Sequence, residues 1–194
     1  NTSSVRGTHH PMKAGSVNRR QFLRGDLQGR RRPSRPPWAV AEPDFLGHCD
    51  RCGRCVEACA EGIIKVGSGG YPEVDFLRGE CTFCEACAEA CPQPALRLSR
   101  DHAGEAAAPW EATLTIGDAC IAHQGVVCQV CGEQCEVRAI RFQRVVGGGV
   151  LPVTEAEACN GCGACVAPCP VGAVTVRVSP AGEGTHSDER SLEP

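Results

Sequence analysis

Four short apolar runs recur along the chain at a fixed distance behind a cysteine. In "AEGIIKV", "PQPALRL", "EVRAIRF" and "PVGAVTV" the apolar positions fall four, five and seven residues after that cysteine. They are Ile63, Ile64 and Val66; Ala95, Leu96 and Leu98; Ala139, Ile140 and Phe142; and Ala173, Val174 and Val176. Runs this short, with β-branched residues and Gly or Pro at their borders, predict strands. The Ala- and Glu-rich stretches within the preceding segments, such as "EACAEAC", predict single helical turns. Brief strands alternating with single turns give an α+β, loop-rich fold class.

The segments ahead of the strands repeat as well: "CDRCGRCVEACA" from Cys49, "CTFCEACAEACP" from Cys81, "CIAHQGVVCQVCGEQCE" from Cys120 and "CNGCGACVAPCP" from Cys159. Three share C-x2-C-x2-C-x3-C, and the third widens its first gap to seven residues. Cys59 to Cys81 is 22 residues and Cys135 to Cys159 is 24, whereas Cys91 to Cys120 is 29 and crosses the polar, Ala-rich "SRDHAGEAAAPW". The repeats therefore pair into a first module over 38–99 and a second over 113–179, joined by a linker over 100–112. A basic arm over 1–37 precedes them, and a tail over 180–194, almost without apolar residues, is predicted disordered, as is the arm. Trp38 and Trp110, each following a proline, are expected to anchor the packing of their modules.

Composition sharpens the question of what holds such a chain together. Five Phe, two Trp and one Tyr in 194 residues leave little aromatic mass for a core, while Cys numbers 16. Cysteine at that density means disulfides in an oxidising compartment or metal in a reducing one. Zinc sites use separated C-x2-C pairs, and C-x2-C pairs repeated this densely suit metal better than disulfides. The run C-x2-C-x2-C-x3-C-P is instead the bacterial ferredoxin signature, in which the fourth cysteine ligates the other cluster of a pair. That rule groups Cys49, Cys52 and Cys55 with Cys91, and Cys81, Cys84 and Cys87 with Cys59. In the second module it groups Cys120, Cys128 and Cys131 with Cys169, and Cys159, Cys162 and Cys165 with Cys135. Four [4Fe–4S] clusters are expected, two in each bacterial 2[4Fe–4S] ferredoxin-like module, stapling modules too small to be stable on apolar burial alone.

Gly53, Gly161, Gly163, Ala86 and Ala164 are read as small residues that let backbone N–H groups approach the sulfurs. Pro92 and Pro170 turn the chain away after the fourth cysteine, where the first and third runs have Ala60 and Glu136 instead. Glu136 places negative charge near a cluster and is expected to lower its potential. The widened third run leaves open a cluster short of one ligand. His48 and His123 are read as solvated loop residues.

Charge is divided unevenly. Residues 1–37 hold nine Lys or Arg against one acid, a charge of +8, and the rest holds eleven against twenty-two, −11. An acidic body, made more so by clusters of about −2 each, argues against nucleic acid as a partner and predicts salt-sensitive docking to basic surfaces. No run approaches the about 18 apolar residues of a membrane span, so no membrane insertion is expected. A start at Met12, the only methionine, would bring the paired arginines of "NRRQFLRG" close to the N-terminus. No stretch of about 7 to 15 apolar residues follows them, so a cytoplasmic location is expected.

Taken together, "NRRQFLRG", "RPPWAV", "GGYPEVDFLRGECTFCEACAEACP", "PWEATLTIGDAC" with its seven-residue gap, and "CNGCGACVAPCP" resemble the NapF family, ferredoxin-type proteins of periplasmic nitrate reductase systems. The resemblance covers roughly residues 18 to 177, and all sixteen cysteines match the family pattern. The arm departs from export motifs in carrying Asn18 ahead of the paired arginines. The resemblance implies a cytoplasmic protein with four [4Fe–4S] clusters and no substrate turnover of its own. Its implied partner is the immature catalytic subunit of the periplasmic nitrate reductase, whose iron–sulfur assembly it assists before export. The alternative is an electron-transfer subunit or polyferredoxin of an oxidoreductase.

Overall fold

The computed structural model describes residues 33–100, 104, 106–146 and 148–181. The arm up to residue 32 and the tail from 182, expected to be disordered, lie outside the described residues. A compact unit runs on from Pro33.

That start differs from the boundary drawn at residue 37, because Arg35, Pro36 and Pro37 are buried in the first module. Arg35 is only 5% exposed. Its guanidinium donates to both carboxylate oxygens of Glu42, at 2.7 and 2.8 Å, and to the Pro72 carbonyl at 3.1 Å. Its central carbon Cζ lies 4.9 Å from the centre of the Phe45 ring and 5.5 Å from that of Tyr71. A planar, bidentate cation fits here where a solvated arm residue was expected. Glu42→Gln should cost the iron-loaded protein about 2 kcal/mol, read as a lower denaturation midpoint. Removing one partner of a buried pair costs more than this, and Glu42 is itself a third exposed to solvent.

Helix α1 (Glu42–His48) begins with Glu42, Pro43 and Asp44 in its first turn and ends on His48, an arrangement that suits the helix dipole. Seven residues are marginal for a free helix, and α1 is held by Phe45, which is fully buried. The remaining elements are brief: α2 (Arg54–Glu57), β1 (Ile64–Val66), β2 (Pro72–Val74), α3 (Ala86–Glu89), β3 (Glu111–Ile116), α4 (Val130–Glu133), β4 (Ile140–Arg144), β5 (Val150–Thr154) and β6 (Val174–Ser179). Helices α2, α3 and α4 fall inside the first three cysteine runs, and the fourth run makes turns in their place.

Among the described residues, three antiparallel pairs, β1–β2, β3–β6 and β4–β5, make up the sheets. Both halves follow one plan. A hairpin links the two cysteine runs of each half, in register Ile64↔Val74 in the first and Ile140↔Thr154 in the second. The outer segments of each half then meet, through the bridge Ala39↔Leu96 in the first and six paired residues of β3 and β6 in the second. The strand predicted at Ala95 to Leu98 is thus no more than that bridge. Pro92 and Pro94 shorten the segment's supply of N–H donors, and two backbone bonds hold it, Val40 N–H to the Ala95 carbonyl and Arg97 N–H to the Trp38 carbonyl. In β6, Val174, Val176 and Val178 are buried while Thr175 and Arg177 are exposed, the alternation a half-buried strand requires. Its partner β3 begins at Glu111, inside the segment read as linker.

Trp38 and Trp110 are each 6% exposed. Trp38 fastens the linker to the first half, its backbone N–H reaching the Pro109 carbonyl at 2.8 Å and its indole N–H the Ala107 carbonyl at 3.0 Å. Trp110 donates its indole N–H to the Asn160 carbonyl at 3.0 Å. The third cysteine of every run, Cys55, Cys87, Cys131 and Cys165, belongs to the buried core beside Phe45, Ile63, Phe76 and Leu96. Among the described residues no helix is long and apolar enough to cross a membrane.

Candidate metal centres

The loops that present the thiols have a common backbone. In the first, second and fourth runs, the second and fourth residues after the opening cysteine are left-handed: Arg51 and Gly53, Phe83 and Glu85, Gly161 and Gly163, with φ between 55° and 82°. Left-handed residues interrupt the helix and turn successive cysteines inward. The glycines expected to give room to the sulfurs therefore serve first as turn residues, and Arg51, Phe83 and Glu85 adopt the same conformation with a side chain. In the first and fourth runs an Asx turn fixes the loop start: the Asp50 and Asn160 side chains each accept from the N–H two residues on, at 3.1 Å. The third run is built otherwise. Its wider gap forms a 3₁₀ turn (Ile121–Gln124) ending at left-handed Gly125, and α4 is preceded by Gln129 at φ −132°.

A further left-handed position stands three residues after the fourth cysteine, at Gly62, Arg138 and Gly172. Arg138 is exposed, so Arg138→Gly should relieve backbone strain and stabilise the loaded protein by about 0.5 to 1 kcal/mol, read as a higher denaturation midpoint.

The structure brings the thiols together as the spacing rule groups them. Cys59, Cys81, Cys84 and Cys87 border one cavity. Cys49, Cys52, Cys55 and Cys91 border a second, and Cys120, Cys128, Cys131 and Cys169 a third. Their empty volumes, open solvent included, are nearly equal at about 350, 350 and 330 Å³. In the remaining set, Cys165 lies in the electrostatic field of Cys162, Cys159 and Cys135. Among the described residues, no group of three or more His, Cys, Asp or Glu is gathered tightly enough for one ion. Thiols standing apart around equal spaces fit a group of several atoms, and an all-sulfur donor set fits iron–sulfur.

Burial is the main influence on the thiol acidities. It pushes Cys87 and Cys165 up to about 12 and Cys55 and Cys81 up to about 11, and neighbouring thiols of the same set add to the rise. Cys49, Cys131, Cys159 and Cys162 are raised for the same leading reason. Cys169 is the exception. Burial again pushes upward, but backbone N–H groups of Val171, Ala173, Val174 and Gly172 together outweigh it and lower the thiol. Sets of buried thiols hold their protons near neutral pH until a cationic group replaces them.

Backbone donors are already aimed at sulfur. The N–H groups of Ala139 and Ala173, each four residues after a fourth cysteine, donate to Cys135 and Cys169 Sγ at 3.2 Å. Such bonds favour the more negative, reduced state of a thiolate-bound cluster. His48 and His123 are exposed, and neither borders any of the three cavities; His48 Nδ1 lies 2.7 Å from the Asp44 carbonyl. Glu136 is also exposed.

The sequence matches a 4Fe-4S dicluster domain over residues 48–95 and a 4Fe-4S binding domain over 152–175. It is 46% identical to the ferredoxin-type protein NapF of Escherichia coli K12 over 156 residues, 78% of this chain and 92% of that protein. Against NapF of Haemophilus influenzae it is 42% identical over 175 residues, 85% of this chain and 96% of the relative. The chain belongs to the NapF family. It is thus a ferredoxin-type iron–sulfur protein with two 4Fe–4S ferredoxin domains. A more distant likeness, 32% over 172 residues, 82% of this chain and 77% of the relative, links it to the methylamine utilization ferredoxin-type protein MauM of Paracoccus denitrificans. No solved structure matches. The two domain matches flank the third cysteine run, the one that departs from the other three in spacing and backbone.

Proposed function

We propose that this chain holds four [4Fe–4S] clusters and assists the iron–sulfur maturation of the periplasmic nitrate reductase catalytic subunit in the cytoplasm, before that subunit is exported. Its ligand sets are Cys49, Cys52, Cys55 and Cys91; Cys59, Cys81, Cys84 and Cys87; Cys120, Cys128, Cys131 and Cys169; and Cys135, Cys159, Cys162 and Cys165. The observation that carries the cluster assignment is the bordering of three near-equal cavities by one full thiol set each. The completeness of the third set bears on the widened run: Cys120 reaches the same cavity as Cys128 and Cys131 despite the longer gap, which favours a full complement of thiols.

When bound, such clusters supply one-electron redox chemistry without bond making at the protein. The chain's own part is to bind and orient them, to donate Ala139 and Ala173 N–H groups to sulfur, and to bury one thiol of each set. The maturation role rests on membership of the NapF family. Capture experiments test it: the iron-loaded chain should retain the immature catalytic subunit and not the mature, cofactor-complete one. Equal retention of both, or stable stoichiometric binding to the active enzyme alone, would replace it with an electron-transfer role. The second reading draws support from the likeness to MauM, a ferredoxin-type relative named for methylamine utilization and not for nitrate reductase.

A further inference from the structure

The two modules meet along a seam that the repeat does not foreshadow. Three of the four opening cysteines, Cys49, Cys120 and Cys159, donate their backbone N–H to a carbonyl three or four residues earlier. The fourth does not. Cys81 N–H crosses to the second module and reaches the Cys162 carbonyl at 2.8 Å. Both residues belong to cysteine loops, and the charge of Cys162 acts on the Cys81 thiol.

Side chains lock this contact in place. A methyl group at Gly163 would lie 2.1 Å from the Phe76 ring, and one at Gly161 would lie 2.6 Å from the Trp110 indole nitrogen. Phe76 and Phe83 of the first module both meet Trp110 edge to face, at 6.0 and 6.1 Å between ring centres. The seam therefore closes only because the fourth run has glycines where the second has Phe83 and Glu85. Within each module the sets are neighbours too. Cys87 lies in the field of Cys55 of the first set, and α4 carries Cys131 of the third set one turn from Cys135 of the fourth.

We propose that the Cys81–Cys162 contact is the electronic junction between the modules, which makes the four sets one continuous array in the order first, second, fourth, third. Phe76 and Gly163 are positioning residues for that junction. This rests on the ligand sets assigned above. The array order differs from the order of the runs in sequence: the widened third run, with exposed Val126 and Val127, becomes one end and the first run the other.

The test uses full-length chain, loaded anaerobically, fully reduced with dithionite and read by EPR for spin–spin interaction between clusters. One variant loses the outer sets (Cys49→Ala, Cys52→Ala, Cys120→Ala, Cys128→Ala) and another the inner sets (Cys81→Ala, Cys84→Ala, Cys159→Ala, Cys162→Ala). Each should keep half of the wild-type iron. The first should show a split, interacting spectrum and the second two independent spins. Interaction in the second and none in the first would overturn the junction. Iron far from one half would count against the ligand sets instead, and the junction then stands or falls on Phe76→Ala alone. With wild-type iron content that variant should lose the inter-module part of the interaction, and Phe76→Tyr should restore it. An unchanged Phe76→Ala spectrum overturns the proposal.

Discussion

Stripping iron from the protein anaerobically with a chelator should abolish its cooperative unfolding transition and its near-UV signal together. The expectation follows from how little else holds the described unit. Its sheets are pairs of strands, three of its four α-helices are single turns, and the third thiol of every run is part of the core. Without a cationic group, buried thiols at about 11 to 12 keep their protons and line cavities instead of bonding across them. Structural zinc contributes about 10 to 16 kcal/mol to small metal-dependent folds, as much as a typical domain's whole stability. A set of thiolates that ties two cysteine runs together should matter on that scale. Differential scanning calorimetry of chelated against loaded protein is the measurement, and a sharp iron-free melting transition would contradict it.

Trp110→Ala should be the most damaging single substitution outside the cysteines. The indole is buried, hydrogen-bonded to the Asn160 carbonyl and wedged between Phe76, Phe83 and Gly161. Truncating a buried tryptophan costs about 3 to 5 kcal/mol, and here the loss falls between modules. Chemical denaturation of the loaded variant should therefore split into two transitions where the wild type shows one. Trp110→Phe, which keeps the ring contacts and loses only the indole donor, should cost about 1 kcal/mol and keep one transition.

The cysteine loops were legible in the sequence because a run is a local signal, four cysteines within eleven positions in three of the four runs; which run lends each fourth thiol came from the ferredoxin spacing rule. Three of the four predicted strands, at Ile64, Ile140 and Val174, follow from the same local offsets. The fourth failed where Pro92 and Pro94 broke the ladder. What could not be read was non-local or conformational. Arg35 looks like part of a basic arm until Glu42, Phe45 and Pro72 fold around it. Arg51, Phe83 and Glu85 have no left-handed preference to betray them, although their alignment with Gly161 and Gly163 is a usable hint. Phe76, Phe83 and Trp110 lie in separate segments, so nothing in the repeat marks them as one cluster.

The asymmetry of the seam also limits how far such a chain can grow. By the hairpin register the position matching Phe76 in the second module is Ala156, exposed just past the end of β5, and the position matching Gly163 in the first is Glu85. A third copy docking in the same way would meet Ala156 where the seam has its aromatic wedge on one flank and Glu85 where it has Gly163 on the other. The wedge of Phe76 and the space left by Gly163 are thus each used once between these two modules.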